Sequence, residues 1–175
     1  MPSVWYWLLV VGVILLIPTA YAGKIGAPWV PTRKRAIMKA LQELEIGKGS
    51  TVVDLGAGDG KVLVAAVSNG ATAIGFELSP IMWVIATLRT LGRAQVIWGN
   101  FYKKPLPANT TAVFVFLLPE TMPRLKKYLK EQSMPTLKYV MSYAFPFKDI
   151  VPVKVIKEPK CAAIYVYDPR AVQSS

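Results

Sequence analysis

Three acids, Asp54, Asp59 and Glu77, stand where this sequence could do chemistry. Asp54 closes an apolar, largely β-branched run, Thr51-Val52-Val53-Asp54-Leu55, and Gly56, Gly58 and Gly60 follow at alternate positions with Asp59 among them. Val62-Leu63-Val64-Ala65-Ala66-Val67 then opens a helical pattern. Strand, glycine turn and helix start, in that order, are how an α/β domain receives a nucleotide-like cofactor, because glycine lets the backbone turn sharply and approach a ligand. Charge narrows the choice of ligand. A phosphate-binding loop offers bare N–H groups and often a lysine, whereas two carboxylates would repel a pyrophosphate. They suit a ligand with an ammonium and a sulfonium, which describes S-adenosylmethionine. Glu77 supports this reading. It ends the apolar segment Ala73–Glu77, close to the spacing of about 20 residues at which an acid accepts hydrogen bonds from ribose hydroxyls. The glycines alone, GxGxG without the third glycine of GxGxxG, would equally fit a strand–turn–helix with no ligand.

The elements that must hold these acids follow from periodicity. Ile25–Thr32, with Gly26, Pro28 and Pro31, reads as a linker or ordered loop, and Arg33–Leu44 places Ile37, Met38, Leu41 and Leu44 at helical spacing. Ser79 and Pro80 are a capping residue and a first-turn proline for a helix to about Leu91. Gln95–Trp98 reads as a third strand ending at Gly99-Asn100-Phe101, and the unbroken apolar run Thr111–Leu117 as a central parallel strand covered on both faces. Pro119-Glu120 begins the next helix, Tyr139–Tyr143 is a fifth strand, and Val151–Ile156 with Ala162–Tyr167 forms a closing hairpin. Alternating strands and helices that end in strands predict an α/β domain over residues 33–170, with 171–175 as a tail.

Composition excludes several chemistries. The 175 residues contain no histidine and one cysteine, Cys161. Histidine triads, Cys/His zinc sites and an internal disulfide are ruled out, and no metal site is expected. The net charge of +11 favours an anionic partner. Residues 1–23 carry no charge and reach the roughly 20 apolar residues of a membrane span. Trp5, Tyr6 and Trp7 lie at one end and Tyr21 at the other, as interfacial aromatics do. Lys24, Arg33, Lys34, Arg35 and Lys39 follow, which predicts a single-pass anchor with residues 24–32 as a linker and the catalytic domain facing the cytoplasm. Pro18 is expected to kink or end this helix. A cleaved signal peptide is the rival, given Ala20-Tyr21-Ala22, but the segment before the apolar core lacks positive charge.

At this point the residues resemble a known family. The chain looks like a class I, seven-β-strand methyltransferase of Rossmann-like fold. More narrowly, it resembles the membrane-anchored lysine methyltransferases that in mitochondria modify the ATP synthase c-ring protein and the adenine nucleotide translocase. The likeness rests on Pro28-Trp29-Val30-Pro31-Thr32, on Val53–Lys61, on Gly75-Phe76-Glu77-Leu78-Ser79-Pro80, on Asn100-Phe101-Tyr102, and on Phe145-Pro146-Phe147 with Tyr165–Asp168. It implies that Asp54, Leu55, Gly56, Ala57, Gly58 and Gly60 hold the methionine end of S-adenosylmethionine. It further implies that Glu77 binds the ribose, that Asn100 meets the adenine amine, and that Leu78 and Phe101 pack on the ring.

The implied reaction is in-line methyl transfer to a lysine of a membrane-associated protein. Such a lysine must lose its proton from a pKa of about 10.4, and desolvation in an apolar channel lowers that value. Trp29, Thr32, Tyr102, Pro119, Glu120, Tyr143 and Phe145 are candidates to line the channel, with Glu120 orienting the amine. Nucleic-acid amino methyltransferases commonly carry Asn/Asp-Pro-Pro-aromatic after the fourth strand. Leu117-Leu118-Pro119-Glu120 stands there instead, so no nucleic acid is expected, and the basic residues are assigned to anionic lipid headgroups. A small-molecule or lipid acceptor and a non-catalytic cofactor-binding membrane protein remain as alternatives.

Overall fold

The structure, a computed structural model, describes residues 2–25 and 32–174, and within the N-terminal helix the side chains of residues 4–13 and 16. Seven strands form one sheet: β1 (Thr51–Leu55), β2 (Thr72–Glu77), β3 (Gln95–Trp98), β4 (Ala112–Val115), β5 (Tyr139–Tyr143), β6 (Lys154–Ile156) and β7 (Ile164–Tyr167). Their spatial order is β3-β2-β1-β4-β5-β7-β6, parallel from β3 to β5 and antiparallel at β7 and β6. The chain leaves β1 toward β2 on one side and returns to β4 on the other. The crevice beyond the carboxyl ends of β1 and β4 is therefore the switch point where open α/β sheets bind ligands.

The helices are α1 (Val4–Ile25), α2 (Lys34–Glu43), α3 (Lys61–Ser68), α4 (Pro80–Thr90), α5 (Met122–Lys130) and α6 (Pro169–Ser174). Alternation along the central strands builds a core on each face of the sheet. Val52, Phe114 and Met141 meet Ile37 and Leu41 of α2 and Leu63 and Ala66 of α3. Val53, Val113 and Val140 meet Leu125 and Leu129 of α5 and Val172 of α6. Burial on both sides is why Ala112–Val115 is wholly apolar.

Several expectations change. Pro119-Glu120 opens a short 3-10 turn, Pro119–Thr121, and α5 begins only at Met122. The strand expected over Val151–Ile156 shortens to β6. Residues expected to trail form α6, whose Val172 is fully buried and whose Gln173 donates to the Leu129 carbonyl at 3.1 Å. α1 runs through Pro18 to Ile25 without ending there, and it touches α4. Trp5, Tyr6, Trp7, Leu8 and Leu9 are exposed. Among the described residues no helix is long and apolar enough to cross a membrane.

Gly75 in β2 shows how tightly the site's floor is packed. A Cβ there would lie 2.7 Å from the Ala57 Cβ and 2.7 Å from a Leu63 methyl. Gly75→Ala should lower stability by about 1–3 kcal/mol, the usual penalty of overpacking, seen as a lower thermal midpoint. An unchanged midpoint would mean that the loop and α3 do not press on β2.

Candidate functional site

The glycine turn is built by conformation first. Gly56, Gly58 and Gly60 have φ of 115°, 53° and 79°, values that residues with a Cβ rarely adopt. The turn is fastened to β2, since the Gly56 and Ala57 N–H groups both donate to the Phe76 carbonyl, at 3.0 and 2.8 Å. Gly60 is also pressed from outside: a Cβ there would stand 3.1 Å from the Ala86 Cα of α4. Leu55 and Ala57 turn their side chains into the core, so only their backbones face the site.

Glu77, at the end of β2, is buried and held by backbone. The Gly58 N–H donates to its Oε2 and the Ser79 N–H to its Oε1, each at 2.7 Å. Each oxygen keeps a lone pair for a further donor, as a ribose diol requires. Burial pushes the Glu77 carboxyl up, and the Ser79, Gly58 and Leu78 N–H groups pull it partly back. Asp54, next to last in β1, is 2 % exposed, and its carboxyl has no hydrogen bond among the described residues. Burial, then the neighbouring charges of Glu77 and Asp59, hold its carboxyl well above the usual carboxylate range. A buried acid without a partner beside a second buried acid fits the ammonium and sulfonium of S-adenosylmethionine, because a cation would relieve both.

Asp59 reads in the sequence as a third free carboxylate, and it is not one. It pairs with Lys61 at 2.9 Å and with Arg89 of α4. Burial raises its carboxyl, but the Lys61 and Arg89 hydrogen bonds outweigh that and lower it below the ordinary value. Asp59 thus ties the glycine turn to α3 and α4 and leaves the anionic hollow to Asp54 and Glu77. Asp59-x-Lys61 is adjacent enough to read in the sequence, whereas Arg89 lies 30 positions on with nothing to announce it.

Beyond the end of β3, the Asn100 Oδ1 accepts from the Tyr102 N–H at 3.0 Å, capping the 3-10 turn Phe101–Lys103. Its amide nitrogen is what remains for a ligand. The Phe101 ring is buried in the core against Tyr102 and Tyr128, and Leu78 is half-buried, its carbonyl accepting from the Trp98 Nε1–H at 3.2 Å.

A cavity of about 1000 Å³ opens beside these strand ends, and its lining includes Thr32, Phe116, Leu118, Tyr143 and Phe145. Of the residues considered for the channel, Thr32, Tyr143 and Phe145 line this cavity, Tyr102, Pro119 and Glu120 do not, and Glu120 is exposed. Trp29 lies outside the described residues. The cavity wall contains a feature with no sequence signal. Ala144, also in the lining, has φ 68° and sits in a γ-turn in which the Phe145 N–H donates to the Tyr143 carbonyl at 2.9 Å. That turn is rare and strained. The Ser142 hydroxyl, donating to the Phe145 carbonyl at 2.6 Å, clamps it and aims two aromatics into the cavity.

The sequence profile of the ANTKMT methyltransferase domain matches residues 54–154. A protein-lysine N-methyltransferase of Saccharolobus islandicus (strain REY15A) is 30% identical over 137 residues, covering 74% of this chain and 84% of that protein. The lysine N-methyltransferase of Homo sapiens that acts on the ATP synthase C-subunit is 31% identical over 151 residues, covering 83% of this chain but 63% of that longer protein. Among solved structures, an RNA methyltransferase from Salinibacter ruber in complex with S-adenosyl-L-homocysteine superposes with a TM-score of 0.70 at 24% identity, covering 79% of this chain and 93% of that one. At that identity the likeness concerns the fold.

Asp54 has a pKa above its unfolded value, so the folded chain holds the extra proton. Asp54 therefore opposes folding above that raised value, and the opposition fades as pH falls toward the ordinary carboxylate range. Asp54→Asn should raise the thermal midpoint of the ligand-free protein at neutral and higher pH, with the gain shrinking on acidification. The same variant should bind S-adenosylmethionine about 10–100-fold more weakly, the equivalent of one lost charge-assisted hydrogen bond. A lower midpoint at every pH, or unchanged affinity, would contradict this account of Asp54.

Proposed function

The chain belongs to the ANTKMT methyltransferase domain family, and from that premise we propose that it methylates a lysine of a membrane-associated protein with S-adenosylmethionine as donor. The observation that carries the reading is the pair of buried acids, Asp54 and Glu77, uncompensated by any cation of the described residues at the switch point. The two lysine methyltransferases named above act on protein lysines, which supports the acceptor class. When bound, S-adenosylmethionine supplies a methyl carbon whose bond to sulfur breaks as the lysine nitrogen bonds to it, the electron pair staying on sulfur and the amine proton passing to water.

The protein's own residues position and desolvate. Asp54 receives the donor's ammonium, Glu77 its ribose hydroxyls, and the Asn100 amide its base. Tyr143, Phe145 and Phe116 wall the neighbouring cavity with rings. Such a wall disfavours a lysine ammonium and favours the neutral amine that attacks. Methylated ammonium products, which lose less hydration on entering than lysine's own ammonium, are better tolerated against the ring faces. Alignment, rather than a strong base, supplies the rate. Trp29 and Thr32 belong to this acceptor side in our reading, and Pro119 and Glu120 to its rim.

The same proposal keeps residues 1–23 as a single-pass anchor with the catalytic domain on the cytoplasmic side. What supports it is the uncharged apolar stretch followed by basic residues. The exposed apolar residues Val84, Leu88 and Leu91 on and beside α4, which α1 touches, add to this. Supplied with labelled donor, the full chain should mark lysines in membrane proteins and leave purified RNA unlabelled. Asp54→Ala and Glu77→Ala should each abolish the labelling. Labelled RNA beside unlabelled membranes would overturn the acceptor class, and wild-type turnover in either variant would overturn that residue's role.

A further inference from the structure

The acceptor-side cavity is apolar within but cationic around its wall. Arg33, Lys34, Arg35, Lys61 and Arg89 all line it, and among the described residues no acid does. Two nearby carboxylates offset part of this charge: Asp59 pairs with Lys61 and Arg89, and Glu158 lies 3.7 Å from Arg35. Arg33 and Lys34 stay exposed with no ion pair among the described residues. Their placement is locally unfavourable. Arg33 is the N-cap of α2 with no capping side-chain hydrogen bond, Lys34 and Arg35 fill its first turn, and no acid is there. The positive end of a helix dipole prefers acids at those positions. Residues that break a local rule without a local gain mark function. The cations also surround the route a lysine ammonium would take, which they would repel.

We infer that the segment carrying the target lysine is acidic, and that side chains of Asp or Glu flanking the lysine are recognised by the Arg33–Arg35 run together with the Lys61 and Arg89 side of the cavity. The inference rests on the lysine-methyltransferase reading and narrows its substrate. Repulsion then becomes useful: the surrounding cations disfavour the protonated lysine, which promotes the neutral nucleophile, and the acidic flanks supply the affinity that the lysine itself cannot. A peptide fits better than a bilayer, because Lys61 and Arg89 sit in a concave wall together with the buried Tyr143, where a planar headgroup layer does not reach.

The test uses the full chain, labelled S-adenosylmethionine and three peptides with one central lysine flanked by Glu, Gln or Arg. The Glu-flanked peptide should exceed the Gln-flanked one at least tenfold in kcat/KM, about 1.4 kcal/mol, with the Arg-flanked peptide lowest. The preference should collapse at high salt and in the Arg33→Gln/Lys34→Gln double variant, with calorimetric donor binding reporting that this variant is folded. Equal or reversed rates overturn the acidic-flank inference and leave the methyltransferase reading intact. Activity that requires anionic vesicles and ignores the flanks overturns it in favour of lipid docking. Bound donor with no lysine modified in any peptide overturns both the inference and the reading it rests on.

Discussion

Two buried carboxylates, with no cation between them among the described residues, are the constraint around which this molecule is arranged. An ionised acid removed from water needs a partner or gives up its charge, and the Asp54 carboxyl has neither a hydrogen bond nor an ion pair among the described residues. Glu77 is better placed, gripped by the backbone N–H groups of Gly58 and Ser79, yet its charge worsens the position of Asp54. A fold keeps such an arrangement only where something arriving from outside relieves it. A ligand bearing positive charge does so, and one bearing phosphates would deepen the conflict.

The surrounding packing keeps that conflict in place. Gly75 admits Ala57 and Leu63 where any side chain would collide, Gly60 admits α4, and Asp59 spends its charge on Lys61 and Arg89 to hold the turn between α3 and α4. The neighbouring cavity is fixed by different means. There the strained turn at Ala144, clamped by Ser142, points Tyr143 and Phe145 into the cavity. The glycine turn and the cavity are thus both built at carboxyl ends of parallel strands, one by glycine and one by strain.

Much of this was legible in the amino-acid order because it depends on local pattern. The run Thr51–Leu55, the spaced glycines, the Ser79-Pro80 cap and the apolar Thr111–Leu117 each declare an element by periodicity or turn chemistry, and β1, β3, β5 and the capped α4 appear where those signals place them. What was not legible is long-range pairing. Nothing in the sequence couples Arg89 to Asp59, so a loop acid that reads as free is in fact neutralised. Nothing distinguishes Ala144 from an ordinary alanine, since its positive φ is imposed by the Ser142 clamp and the Ala163 carbonyl. α6 escaped because six residues beginning with a proline carry too little periodicity to separate a docked turn from a tail.

The most direct measurement is a calorimetric titration of the full chain, at low and moderate salt, with S-adenosylmethionine and with adenosine diphosphate. The two share adenosine and differ in the sign of the charge delivered to Asp54 and Glu77. Saturable binding of the sulfonium compound with no detectable binding of the diphosphate is the expected result. Equal or tighter binding of the diphosphate would contradict the account at its root.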